Sequence, residues 1–215
     1  MKIPLNDLNI LLCGDSFAAD WTLKYDHYLG WPNLLAKRYN VTNIAQAGVS
    51  EYKIYRQIQS VNLHDYDLII ISHTSPYRIH TRKHPVHSND KLHKDADLIY
   101  ADISYHKNLL KNIFNGALYS AAGFYEHHYD IEFFEEQYRL FRAEINRILI
   151  GKPSIVFSSM AVLENFSTEE TVLNFCELLK KEPGLINHFS ESGNEKIFLE
   201  LEYQISMLKS KENYQ

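Results

Sequence analysis

The residues with the plainest capacity for chemistry are a serine near the start of the chain and a histidine near its end. Ser16 stands in Gly14-Asp15-Ser16-Phe17, directly after the apolar run Leu8-Asn9-Ile10-Leu11-Leu12-Cys13. A serine on the turn that leaves a buried strand presents its Oγ at the sheet edge. The helix N-terminus expected to follow would offer N–H groups to an oxyanion. A serine nucleophile needs a base. His188, in Ile186-Asn187-His188-Phe189-Ser190, falls between the last strand-like segment and the final helix, which puts it in a loop at the sheet edge. Asp15 is expected to accept backbone N–H groups rather than to act as a base. Neither Gly-x-Ser-x-Gly nor Gly-x-Gly-x-x-Gly occurs, and the second absence argues against a dinucleotide site.

These residues need elements to position them. Residues 8–13, 41–45, 67–72 and 154–158 read as short strands, and Asp67-Leu68-Ile69-Ile70-Ile71-Ser72 has the continuous β-branched character of a strand buried on both faces. Helices are expected over 30–39, with Pro32 in the first turn, and over 51–60, 95–115 and 130–149. The 130–149 segment is strongly amphipathic, with Ile131, Phe134, Tyr138, Phe141, Ile145 and Ile148 on one face. Gly116 and Gly123 bracket an expected break. A helix from Thr168 to Lys180, opened by Ser167 or Thr168, and a last helix over 190–208 complete the pattern. Strands alternating with helices predict a three-layer α/β/α domain with a central parallel sheet, flavodoxin-like in outline, over residues 1–208. An insertion over about 76–129 follows the third strand, and a polar tail, 209–215, follows the last helix. In such a sheet ligands bind beyond the carboxyl ends of the strands, which singles out Gly14-Asp15-Ser16, Gly48-Val49-Ser50 and Thr74-Ser75-Pro76-Tyr77-Arg78.

Gly14-Asp15-Ser16 after the first strand, Gly48 after the second, and Asn187-His188-Phe189-Ser190 before the last helix together resemble the SGNH (GDSL-type) hydrolase family. The resemblance spans nearly the whole chain in block order and spacing, though each motif is short. It implies an esterase or an O-acyltransferase with Ser16 as nucleophile, His188 as general base, and the N–H groups of Ser16 and Gly48 in the oxyanion hole.

Two positions depart from the family. Its third block, Gly-x-Asn-Asp, falls by gapless counting on Thr74-Ser75-Pro76-Tyr77, so Pro76 takes the asparagine slot and offers no donor. Ser75 and Arg78 are the candidates for the missing oxyanion donor; one such donor is worth ~10²–10³ in rate. The family's aspartate, three residues before the histidine, is Leu185 here. Glu182 is the nearest carboxylate that could orient His188; otherwise a Ser–His dyad with a backbone carbonyl acceptor is implied.

Composition bounds the function. The net charge of −5 excludes a global basic field for nucleic acid or an anionic membrane. Two cysteines, Cys13 and Cys176, make neither a disulfide framework nor a four-ligand metal site. The N-terminus lacks the apolar core of a signal peptide, and no run is long enough to span a bilayer, so a cytoplasmic location is expected. Most of the 11 histidines lie in or beside the insertion. His80, His84 and His87 have metal-like spacing but no matching carboxylate, so neither a metal nor a cofactor is expected. The insertion reads as a lid whose Tyr77, Tyr100, Tyr105, Phe124, Tyr125 and Tyr129 suit a sugar ring or an acyl ester. The expected substrate is a small-molecule or carbohydrate ester, most plausibly O-acetyl. A non-catalytic glycan-binding domain on the same fold is the alternative.

Overall fold

A computed structural model describes residues 7–87, 89–158, 175–184 and 188–212. Four strands, β1 (Asn9–Gly14), β2 (Asn40–Asn43), β3 (Leu68–His73) and β4 (Ser154–Ser158), form one parallel sheet in the order β2-β1-β3-β4. Among the described residues seven helices accompany them: α1 (Trp31–Ala36), α2 (Glu51–Gln59), α3 (Tyr100–Lys107), α4 (Gly116–His127), α5 (Ile131–Leu149), α6 (Phe175–Lys181) and α7 (Glu191–Glu212).

Strand alternation explains the three layers. On one face Ile10 and Leu12 of β1, Leu68 and Ile70 of β3, and Ile155 and Phe157 of β4 pack against Trp31 and Leu35 of α1 and Ile197, Leu201 and Ile205 of α7. On the other face Leu11, Cys13, Ile69 and Ile71 meet Ile54 and Ile58 of α2 and Ile145 and Leu149 of α5. Successive side chains of a strand point to opposite faces, so a strand covered by helices on both sides must be apolar throughout. All six residues of β3 are buried. Burial pushes the Cys13 thiol far above its ordinary range, which suits a packing residue rather than a nucleophile.

The insertion has a small core of its own: Ile103 of α3 and Leu118, Ala121 and Ala122 of α4, with Val86, Leu98 and Tyr125 packed on them. An antiparallel bridge between Ile79 and Leu98 pins its base.

Several expected boundaries move. The 95–115 segment is helical only over α3, which Asn108 ends, with a separate 3-10 turn at Leu110–Asn112. The break expected between Gly116 and Gly123 is helix α4. Asn115 caps it by accepting the Leu118 N–H, and Gly123 lies inside it as a tolerated residue. The last helix runs on to Glu212, so the expected tail is largely helical. The expected start at Ser167 or Thr168 lies outside the described residues, within which α6 begins at Phe175. No helix among the described residues is long and apolar enough to cross a membrane.

Candidate active site at the carboxyl edge of the sheet

The site is built around the end of β1. Gly14 is required there by close approach: a Cβ on it would meet the Ser72 Cβ and carbonyl oxygen at 2.8 Å and the Ala18 Cβ at 3.0 Å. The Gln57 side chain of α2 clasps the same residue, accepting the Gly14 N–H at 2.8 Å and donating to its carbonyl at 3.1 Å. The chain then turns rather than starting a helix. Asp15 Oδ1 accepts the Phe17 N–H at 3.0 Å, and the Asp15 carbonyl accepts the Ala18 N–H at 3.1 Å. The expected helix N-terminus behind Ser16 is therefore replaced by a tight turn; the next helical residues are a 3-10 turn at Trp21–Leu23, capped by Asp20. Two polar residues in the turn, Asp20 and Asp15, bond backbone N–H groups through their own carboxylates, which competes with helix formation.

Ser16 is buried in this turn, and Trp21 folds back over it, its indole N–H donating to the Ser16 carbonyl at 2.6 Å. His188 arrives from the far end of the chain and lies against the same two aromatic residues. Its ring centroid is 4.3 Å from that of Trp21 and 4.7 Å from that of Phe17. The loop that delivers it is held closely. The Tyr28 hydroxyl donates to the Phe189 carbonyl at 2.5 Å, the Asn194 amide donates to the Phe189 and Ser190 carbonyls, and the Gly184 N–H donates to the His188 carbonyl at 2.7 Å. Glu182 sits at the other side of this loop, with its carboxylate accepting from the Ser190 hydroxyl at 3.1 Å and paired with Lys196 of α7. That partnership holds its ionisation below the ordinary carboxylate range. It ties Glu182 to the start of α7.

Gly48 follows β2 with φ +79°, a left-handed conformation that favours glycine, and a Cβ there would meet the Ala96 Cβ at 2.9 Å. Its carbonyl accepts from Arg78 Nη1 at 3.1 Å and from the Asp97 N–H at 2.9 Å. Arg78 thus braces the Gly48 turn. Ser75 is buried, and its Oγ accepts the Tyr77 N–H at 3.2 Å, which leaves the hydroxyl proton for another acceptor.

Two buried residues that the sequence reading did not single out, His73 and Glu51, lie among these groups, beside Thr74, which it did. The register pairs Gly14 with Ser72, so Asp15-Ser16 and His73-Thr74 pass over the same sheet edge side by side. His73 Nδ1 lies 2.5 Å from Glu51 Oε1, and the Thr74 N–H donates to Glu51 Oε2 at 3.3 Å. The sequence signal for His73 is a polar residue continuing an apolar strand at its carboxyl end; Glu51 opens α2 and carries no such signal. Asp15 is fully buried, and desolvation raises its carboxyl from 3.8 to about 6. The Arg78 cation, the Phe17 N–H and the Thr74 hydroxyl pull it down, while the Glu51 carboxylate adds to the rise.

A cavity of about 230 Å3 opens beside Ser75 and Arg78. Ser50, Glu51 and Tyr52 of the α2 entry form one wall, and Phe134, Tyr138 and Phe141 of α5 form another. Of the aromatic residues expected to close over a ligand, Tyr100 and Tyr105 are exposed and Tyr125 packs on the insertion core, while Tyr129 stacks at 5.0 Å on Phe134 of the cavity wall. The histidines separate too. His80 turns to Asp97, while His84 and His87 meet a carboxylate that linear spacing did not reveal, Asp102 of α3.

No family model, curated protein or solved structure matches this chain. What the fold defines is a three-layer α/β/α domain whose polar residues gather at the carboxyl edge of a parallel sheet.

Proposed function

We propose that the protein is a serine esterase of the SGNH type, acting on a small acyl group carried by a carbohydrate. The observation that carries this reading is the packing of His188 on Phe17 and Trp21, the residues that enclose the Ser16 turn, across 171 and 167 residues of sequence. Ser16 Oγ attacks the ester carbonyl while His188 takes its proton, and the alkoxide leaves with that proton as the acyl-enzyme forms. The oxyanion rests on the N–H groups of Ser16 and Gly48, with the Ser75 hydroxyl as side-chain donor and Arg78 holding the Gly48 turn in place. Water, or a sugar hydroxyl in a transferase, then takes the acyl group. The aromatic walls of the neighbouring cavity support a sugar ring as the alcohol portion.

A fluorophosphonate probe tests the nucleophile. Labelling of the wild-type protein that is lost in Ser16→Ala and falls sharply in His188→Ala is the expected result. Absence of labelling together with no cleavage of p-nitrophenyl acetate above the buffer rate would sink the reading. The engagement of Glu182 with Ser190 and Lys196 favours a second one, a glycan-binding domain without catalysis, which predicts saccharide binding by a protein that does not label.

A further inference from the structure

The insertion contains a second constellation, remote in composition from the serine site. His84 and His87, three residues apart in a turn, project onto Asp102 in the first turn of α3. One donor atom from each of the three lies within 4.8 Å of the other two. His84 Nε2 is 3.3 Å from Asp102 Oδ2, and His87 Nε2 is 3.1 Å from both carboxylate oxygens. Charge-assisted hydrogen bonds are usually shorter, ~2.7–2.9 Å. Donors around a tetrahedral ion bound at ~2.0–2.1 Å stand ~3.3 Å apart, close to the 3.1 and 3.3 Å separations of the two histidines from Asp102.

We propose that His84, His87 and Asp102 bind a divalent transition-metal ion of the zinc class. The donor set, two imidazoles and one carboxylate, is of the kind zinc takes, and a thiolate is not needed. His84 is buried while His87 and Asp102 are about a quarter exposed, so solvent reaches the remaining coordination position. His84 Nδ1 accepts the N–H groups of Val86 and His87 at 3.2 Å, which turns Nε2 inward and leaves the proton on it in the metal-free centre. An ion binds Nε2 of the neutral imidazole only as that proton passes to Nδ1, so the turn must open and the Val86 and His87 N–H groups give up this acceptor. His106 Nε2, 3.5 Å from Asp102 Oδ1 on the same helix, stands beside the centre and holds the carboxylate's other oxygen. His93 is committed elsewhere, to Asp90. The ion ties the 84–87 turn to α3 across 15 residues of sequence and braces the insertion against its own core, where Val86 already packs.

The test uses the full chain and Zn2+ or Co2+ alone. Expected are one ion bound per chain, a Co2+ visible spectrum with the intense bands of a four-coordinate N/O site, and a melting temperature raised by Zn2+. Asp102→Asn and His87→Gln should each weaken Zn2+ binding at least tenfold and abolish the melting shift, while His127→Gln, outside the cluster, keeps both. Failure of the wild-type chain to bind either ion, weak octahedral Co2+ bands, or Zn2+ binding undiminished from wild type in both cluster variants would overturn the proposal. The wild-type spectrum decides the matter even if a substitution prevents folding.

Discussion

The carboxyl group of Asp15 should weaken the fold as pH rises toward neutrality, and Asp15→Asn should remove that effect. Its folded-state value lies above its ordinary one, about 6 against 3.8, because the group is fully buried. The folded protein therefore holds this proton more tightly than the unfolded chain does. Below the unfolded value both states are protonated and nothing is lost. Between the two values the unfolded chain ionises first, and above about 6 the loss is complete. At ~1.4 kcal/mol per pH unit the gap amounts to ~3 kcal/mol. Asparagine keeps an oxygen for the Phe17 N–H and carries no charge to desolvate. The assay is denaturant unfolding of both proteins at intervals from about pH 3.5 to 7, with all other titrating groups common to the pair. The stability difference should shift in favour of Asp15→Asn by ~3 kcal/mol across that range, or ~6–12 °C in melting temperature for a chain of this length. A difference that stays constant with pH would refute the account of a carboxyl desolvated in the Ser16 turn.

Three further outcomes follow from the same edge of the sheet. Gly14→Ala places a methyl 2.8 Å from Ser72 and should cost about 1–3 kcal/mol, read by thermal denaturation. Trp21→Phe keeps a ring against His188 but strips the buried Ser16 carbonyl of its donor; a loss of ~1–3 kcal/mol and a slower fluorophosphonate reaction are expected. Arg78→Met removes the cation that opposes the rise at Asp15, so the titration of that carboxyl, followed by carbon-13 NMR, should move above about 6.

The four strands and the long amphipathic helix were legible in the sequence because their burial is dictated by local pattern. Ile10 to Cys13 and Leu68 to Ile71 are apolar on both faces, and α5 repeats its apolar residues at helical spacing. The insertion was harder. Tyr100–Lys107 and Gly116–His127 have weak amphipathic character, and whether Gly116 and Gly123 interrupt or join a helix depends on the Asn115 cap and on packing against Ile103. At the sheet edge, Ser16 and His188 could be picked out as candidates from residue type and position, and the fold brings His188 against Phe17 beside Ser16. The turn behind Ser16 could not, since a short Asp side chain satisfies the N–H of Phe17 and so removes the need for a helix. Nor could the pairing of His73 with Glu51 or of His84 and His87 with Asp102. Their partners stand 15 to 22 residues away in chain order and meet only after the sheet and insertion have folded.

The packing of α7 on α1 has a consequence for biosynthesis. The side chains that cover Phe17, Trp31 and Leu35, namely Phe189, Ile197, Leu201 and Ile205, are made more than 150 residues after them. One face of the central sheet must wait, incompletely covered, until the segment that forms α7 has been translated. Contacts of such sequence separation fold slowly, and a nascent chain halted before residue 188 would present a bare aromatic surface of the kind chaperones hold.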